Sequence, residues 1–112
     1  MIDLQSSPLF TPYTHPESGI TSYLLTKRAA PVQEAFYFVN ASMTRDGRYL
    51  WFYCAFPPSG SAQAGRTLGV LDFETGEVVH LPDTQFGAAS PSVDVDNGEV
   101  YWMSGPVLWK RN

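Results

Sequence analysis

The chain holds a single cysteine, Cys54, among 112 residues, so no disulfide can form within it and a disulfide-stapled fold is excluded. Basic residues are also scarce: seven Lys and Arg against eleven Asp and Glu give a net charge of −4. The only adjacent basic pairs are Lys27-Arg28 and Lys110-Arg111, too few to neutralise a run of phosphates, and a nucleic-acid partner is not expected. No stretch approaches the roughly 20 apolar residues of a membrane span. The opening Met1-Ile2-Asp3-Leu4-Gln5-Ser6-Ser7-Pro8 carries neither a basic leader nor a continuous apolar segment. A soluble, cytoplasmic chain with no membrane partner is the expectation.

Reactive constellations are missing as well. Of the two histidines, His15 stands between Thr14 and Pro16 and His80 inside an apolar-rich segment. A metal site needs three or four ligands, and no paired His, His-Glu-x-x-His or Cys pair is available. Gly-x-Ser-x-Gly, a phosphate loop and a dinucleotide fingerprint are absent too. Neither a catalytic nor a metal-binding residue is therefore expected within the chain. Asp94 and Asp96 lie two apart, on one face of a strand, but Val93 and Val95 make ordinary alternation a sufficient explanation. Cys54 sits in the apolar run Tyr49 to Phe56 and reads as a packed thiol.

What is abundant is aromatic and turn-forming residues. Aromatics make up 14% of the chain, with nine Gly and nine Pro as punctuation, a composition of short strands joined by turns rather than long helices. The fold class is all-β. Asp46-Gly47-Arg48-Tyr49-Leu50-Trp51-Phe52 returns, loosened, as Asn97-Gly98-Glu99-Val100-Tyr101-Trp102-Met103. Pairing Trp51 with Trp102 also pairs Ala41 to Gly47 with Ser92 to Gly98, each a strand ending in a two-residue Asp-Gly or Asn-Gly turn of the kind in which both central residues take positive φ. Tyr49 to Phe56 follows as a strand buried on both faces. Thr67 to Phe73 is a third strand, Glu74-Thr75-Gly76-Glu77 its turn, and Val78 to Leu81 a fourth.

Four antiparallel strands in about fifty residues make one β-propeller blade. The chain then reads as the N-terminal portion, residues 1–112, of a partial propeller of about one and a half blades. It has a closing outer strand over 20–26, announced by Glu17-Ser18-Gly19, a first full blade over 37–82 and the inner part of the next over 90–109. Two blades do not close a ring, so the remaining blades of the same protein, or other copies of it, are the implied partners. An independent β-sandwich of this length explains the same strands.

In such a blade the tight turns at Asp46-Gly47, Thr75-Gly76 and Asn97-Gly98 fall on one rim. The long connections Lys27 to Phe36, Pro57 to Arg66 and Asp83 to Ala89 gather on the other, where binding residues concentrate. Tyr37, Asn40 and Gln85 enter there near the mouth of the central channel and are the candidate ligand contacts. Tyr37 packed between blades, Asn40 capping a turn and Gln85 in solvent account for the same residues. Arg66, closing the Pro57-to-Gly65 loop, is a candidate bidentate carboxylate binder, or else a surface arginine.

The run Phe36 to Phe52, followed by Leu68-Gly69-Val70-Leu71-Asp72-Phe73-Glu74-Thr75-Gly76-Glu77, resembles the opening blade of the oligogalacturonate lyases. Those enzymes carry a Tyr-Phe-x-Asn entry, a Thr-x-Asp-Gly turn before an apolar strand, and a Leu-Asp-x-Glu-Thr-Gly-Glu hairpin. The Asp-Gly and Asp-x-Glu-Thr-Gly phrases are shared with many TolB-like and WD40-like repeats, including ones that only bind partners. The resemblance implies a seven-bladed propeller that cleaves acidic oligosaccharides, short α-1,4-linked galacturonides, by β-elimination. It also implies manganese or another divalent metal neutralising the uronate carboxylate while a base removes the C5 proton. The family's metal ligands and catalytic arginine belong to later blades, so this chain alone is expected to be inactive. The alternative is a non-catalytic propeller or β domain that binds a protein or glycan.

Overall fold

A computed structural model describes residues 4–37, 39–56, 66–87 and 89–112. Among them there is no helix; nine strands form three antiparallel sheets. β1 (Phe10–Thr14) and β2 (Thr21–Leu25) make a hairpin. β3 (Val32–Glu34), β4 (Tyr49–Ala55), β5 (Arg66–Asp72) and β6 (Glu77–Phe86) make a four-stranded meander in chain order. β7 (Ser92–Asp94), β8 (Glu99–Ser104) and β9 (Val107–Arg111) make a three-stranded one. No helix is long and apolar enough to cross a membrane among the described residues.

The four-stranded sheet is covered on both faces, as the apolarity of Tyr49 to Phe56 implies. On β4 the odd positions and on β5 the even ones, Trp51 and Leu68 among them, join Phe36, Phe86, Val93, Val100 and Trp102 in a core shared with the third sheet. The opposite positions, Phe52, Cys54, Leu71 and Phe73, pack with Leu9 and Ala30 beneath the N-terminal hairpin. Phe10 stacks on Phe73 with ring centroids 6.0 Å apart. Cys54 is fully buried there, and loss of solvent pushes its thiol up to about 11. It is an inert packed thiol, in line with the sequence.

Three expectations need correction. The first strand of the four-stranded sheet is Val32–Glu34, paired to the far end of β4, whereas Ala41 to Gly47 contributes only one isolated bridge, Met43 to Leu50. The strand at 20–26 does exist, at Thr21–Leu25, but it pairs with β1, which the sequence hides behind Pro12 and four exposed residues. Asp96 does not share a strand face with Asp94. β7 ends at Asp94, and Asp96 lies in the turn, ion-paired with Arg45.

The turns also differ from the two-residue kind. No described non-glycine residue has positive φ; a single glycine closes each turn instead, Gly76 at φ 76° and Gly98 at φ 71°. Gly76 N donates to Asp72 O at 2.8 Å and Gly98 N to Asp94 O at 2.9 Å, each closing five residues with an aspartate at the head. Both aspartates cap their own turn: Asp72 Oδ1 accepts from Glu74 N at 2.9 Å, and Asp94 Oδ1 from Asp96 N at 3.2 Å. At Gly47 the geometry is tighter, its N donating to Thr44 O, three residues back.

That one-residue difference breaks the tryptophan echo. Thr44 N donates to Tyr49 O across the first turn, and Asp94 pairs with Glu99 across the second, so Trp51 matches Tyr101 in register and Phe52 matches Trp102. A slip of one residue moves a side chain to the other face. Trp51 and Trp102 are therefore not equivalents. They lie on opposing faces of neighbouring sheets and meet in one core.

Arg48 clamps the turn after β5, its Nε and Nη2 reaching the two oxygens of Asp72 at 3.2 and 3.0 Å and its Nη1 reaching Glu74 at 2.9 Å. The side-chain hydrogen bond from Arg48, helped by the Glu74 N–H, holds the Asp72 carboxyl below its ordinary value. A lowered folded pKa means that the unfolded chain binds the proton more readily. The stabilisation is thus complete above the unfolded carboxylate range, about pH 4, and is lost as pH falls through the depressed value. Urea midpoints measured across the acid range are expected to fall with pH in the native chain and to fall less steeply in Asp72→Asn.

Candidate functional site

Two clefts open at opposite rims, one between the four-stranded and three-stranded sheets and one between the four-stranded sheet and the segment that leads into β7. The rim of tight turns carries one of about 780 Å³, walled by Tyr49, Trp51 and Val70. Its arginines are already paired, Arg45 with Asp96, and Arg111 Nη1 with both oxygens of Asp83 at 3.0 and 2.8 Å. The rim of long connections carries the other, about 710 Å³, where Tyr37, Asn40 and Arg66 converge with Glu34, Tyr53, Phe86 and Ser90.

Arg66 is the unusual member. It opens β5, opposite Ala55 on β4 and Phe86 on β6, so its side chain enters the inter-sheet face rather than solvent. Only 8% of it is exposed. The guanidinium carbon lies 4.9 Å from the Phe86 ring centroid and 5.2 Å from that of Tyr53, cation–π distances both. Nη2 donates to Gly87 O at 2.6 Å, while Nε is buried without a partner. Among the described residues no carboxylate lies within ion-pair distance of it. A buried cation without a countercharge is costly. The surface-arginine reading of this residue is thereby overturned.

Tyr53 lies beside it and donates its hydroxyl to Glu34, its cross-strand neighbour. Burial first, then Glu34, raises the Tyr53 pKa against the opposing pull of Arg66. The phenol stays protonated and acts as a donor, not a base. Sequence reasoning missed both residues. Each looks ordinary in its own strand, and only the β3–β4 pairing brings Glu34 to Tyr53.

The candidates from the sequence fare differently. Asn40 is structural on its amide side: Nδ2 donates to Pro91 O at 3.0 Å and Ser90 O at 3.4 Å, tying the entry of β7 to the segment after β3. Tyr37 N donates to Ser90 Oγ at 3.0 Å, and its side chain is 58% exposed at the cleft mouth. Gln85 stands apart, in a smaller cleft with Pro82, Asp83, Trp102 and Trp109. It lies on the fourth strand and not on a connection, because β6 continues past Pro82 to Phe86 across a bulge. Thr84 makes this possible. Its buried hydroxyl accepts from Leu68 N at 2.9 Å and donates to Leu81 O at 2.6 Å, replacing ladder bonds that the proline and the bulge remove. The loop Pro57 to Gly65 lies outside the described residues, as does Phe38 of the Tyr-Phe-x-Asn entry.

No three His, Cys, Asp or Glu side chains converge on a point among the described residues. Among the described residues of the long-connection cleft the donor set, with its single carboxylate, does not fit a divalent metal, and the chemistry there is that of one cation, one carboxylate, two aromatic faces and a hydroxyl. No family model, curated protein or solved structure matches this chain.

Proposed function

We propose that the chain forms the first blades of a β-propeller and that the complete protein acts on short uronic-acid oligosaccharides in the manner of the oligogalacturonate lyases. The observation that carries the reading is the way successive sheets sit together. The strand-entry segments of the second and third sheets run side by side, Val93 N donating to Ala41 O at 3.3 Å and Arg45 N to Val95 O at 2.9 Å. The turns at Gly47, Gly76 and Gly98 gather at one rim, and the β8–β9 turn at Gly105 lies at the other. Radially arranged blades have this relation. The N-terminal hairpin, separate from both larger sheets, is suited to complete a sheet supplied by the rest of the ring.

The motifs quoted above supply the activity in this reading, and the cleft at the long-connection rim supplies a cationic group for an acidic sugar. Manganese, implied by the resemblance, would find its ligands in later blades. An elimination assay on the product of the complete reading frame, following unsaturated uronide absorbance with and without added Mn²⁺, tests the proposal. Turnover of oligogalacturonides is the expected result; no activity on any uronide contradicts it. The second reading, a non-catalytic propeller that binds a glycan or protein, draws on the same cleft, whose described groups are suited to holding a ligand rather than to removing a proton.

A further inference from the structure

We infer that the cleft between the second sheet and the segment entering β7 is a binding site for a single carboxylate, seated on Arg66. Three independent features converge. Arg66 is more than nine-tenths buried yet lines the cleft, and among the described residues no acid pairs with it. The Phe86 and Tyr53 rings, set at 77° to one another with centroids 6.1 Å apart, both crowd one side of it at 4.9 and 5.2 Å and hold the fork in place. Its anchoring bond goes to a neutral carbonyl, Gly87 O, which holds the group in place without discharging it. The site is thus preorganised and electrostatically unfinished.

Glu34 sets an opposing charge beside the site. It belongs to the same cleft and is held by the Tyr53 hydroxyl rather than by Arg66. An incoming anion feels its repulsion, so neutralising Glu34 is expected to strengthen binding. Were Glu34 the true partner of Arg66, its removal would instead leave the cation bare and loosen the fold. At the mouth, the exposed Tyr37 marks where the body of the ligand would lie. The inference rests on the uronide reading only for the carrier of the carboxylate; the site itself stands on the cleft.

The test uses the full chain and NMR titration with four probes: galacturonate, its methyl ester, galactose and acetate. Galacturonate is expected to shift the Arg66, Gly87 and Tyr53 resonances saturably, with Kd on the order of millimolar, while the ester and galactose leave them unmoved. Arg66→Lys, which keeps the charge but loses the fork, is expected to weaken binding several-fold, and Glu34→Gln to tighten it. The ester comparison needs no variant and so survives any folding defect. Equal shifts from acid and ester, or none from either acid, overturn the site. Binding of acetate but not galacturonate upholds the site and counts against the uronide reading.

Discussion

Gly69→Ala destabilises the fold by about 1–3 kcal/mol, the cost of overpacking a filled core, and Gly69→Val by more. Gly69 lies in β5 directly opposite Phe52 of β4. A Cβ built there stands 2.5 Å from Phe52 Cε2, 2.7 Å from its Cζ and 2.9 Å from Cys54 Sγ. The ring cannot withdraw, because Phe52 is 4% exposed and packs in the core beneath the N-terminal hairpin. Glycine in a strand interior is ordinarily a weakness. Here the aromatic ring covers the bare backbone, and the missing side chain is the space the ring occupies. Chemical denaturation of the variant is expected to show a lower midpoint with an unchanged slope. A midpoint equal to that of the native chain would mean that Phe52 does not lie over Gly69.

Trp102→Ala is expected to cost more, about 3–5 kcal/mol, and its cross-strand partner Trp109→Ala much less. The two residues are directly opposite on β8 and β9 and share a face. Trp102 reaches the core between the second and third sheets and is 6% exposed, whereas Trp109 lies at the outer end of that face and is 51% exposed. Buried area, rather than residue type, decides the difference. Thermal unfolding of both variants checks it. Equal losses would place the tryptophans in equivalent surroundings and contradict the inter-sheet core.

The sequence is most legible where turn chemistry and a continuous apolar run coincide. Tyr49 to Phe56 and Thr67 to Phe73 are strands because their apolar residues face two cores, and the Asp-x-Glu-Thr-Gly phrase marks its turn because only glycine closes it cheaply in the left-handed region. It is least legible at the short edges. Val32–Glu34 is three residues long and defined by its partner rather than by its own pattern, and Phe10–Thr14 contains a proline that argues against a strand. The continuation of β6 through Pro82 depends on one buried hydroxyl, Thr84, which no periodicity announces. The repeat misled by a single residue, because matching Asp-Gly to Asn-Gly ignores where in the turn the glycine stands.

The candidate site divides in the same way. Tyr37, Asn40 and Arg66 were accessible to reasoning about rims, since long connections at one end of antiparallel strands must gather. Arg66 was visible as a residue but not as a buried one; its burial follows from pairing with Ala55 and Phe86 across the bulge. Glu34 and Tyr53 carried no local signal. Their juxtaposition is a product of the register between β3 and β4, which three residues settle.

The second and third sheets share one core, with Trp51 and Trp102 entering it from opposite sides. The most direct measurement is a nuclear Overhauser spectrum of the isotopically labelled chain, read at the Trp51 indole ring. Cross-peaks to the methyl groups of Val93 and Val100, residues of the third sheet, are the expected result. A Trp51 ring in contact only with residues of its own sheet, Val70 and Leu68, would contradict it.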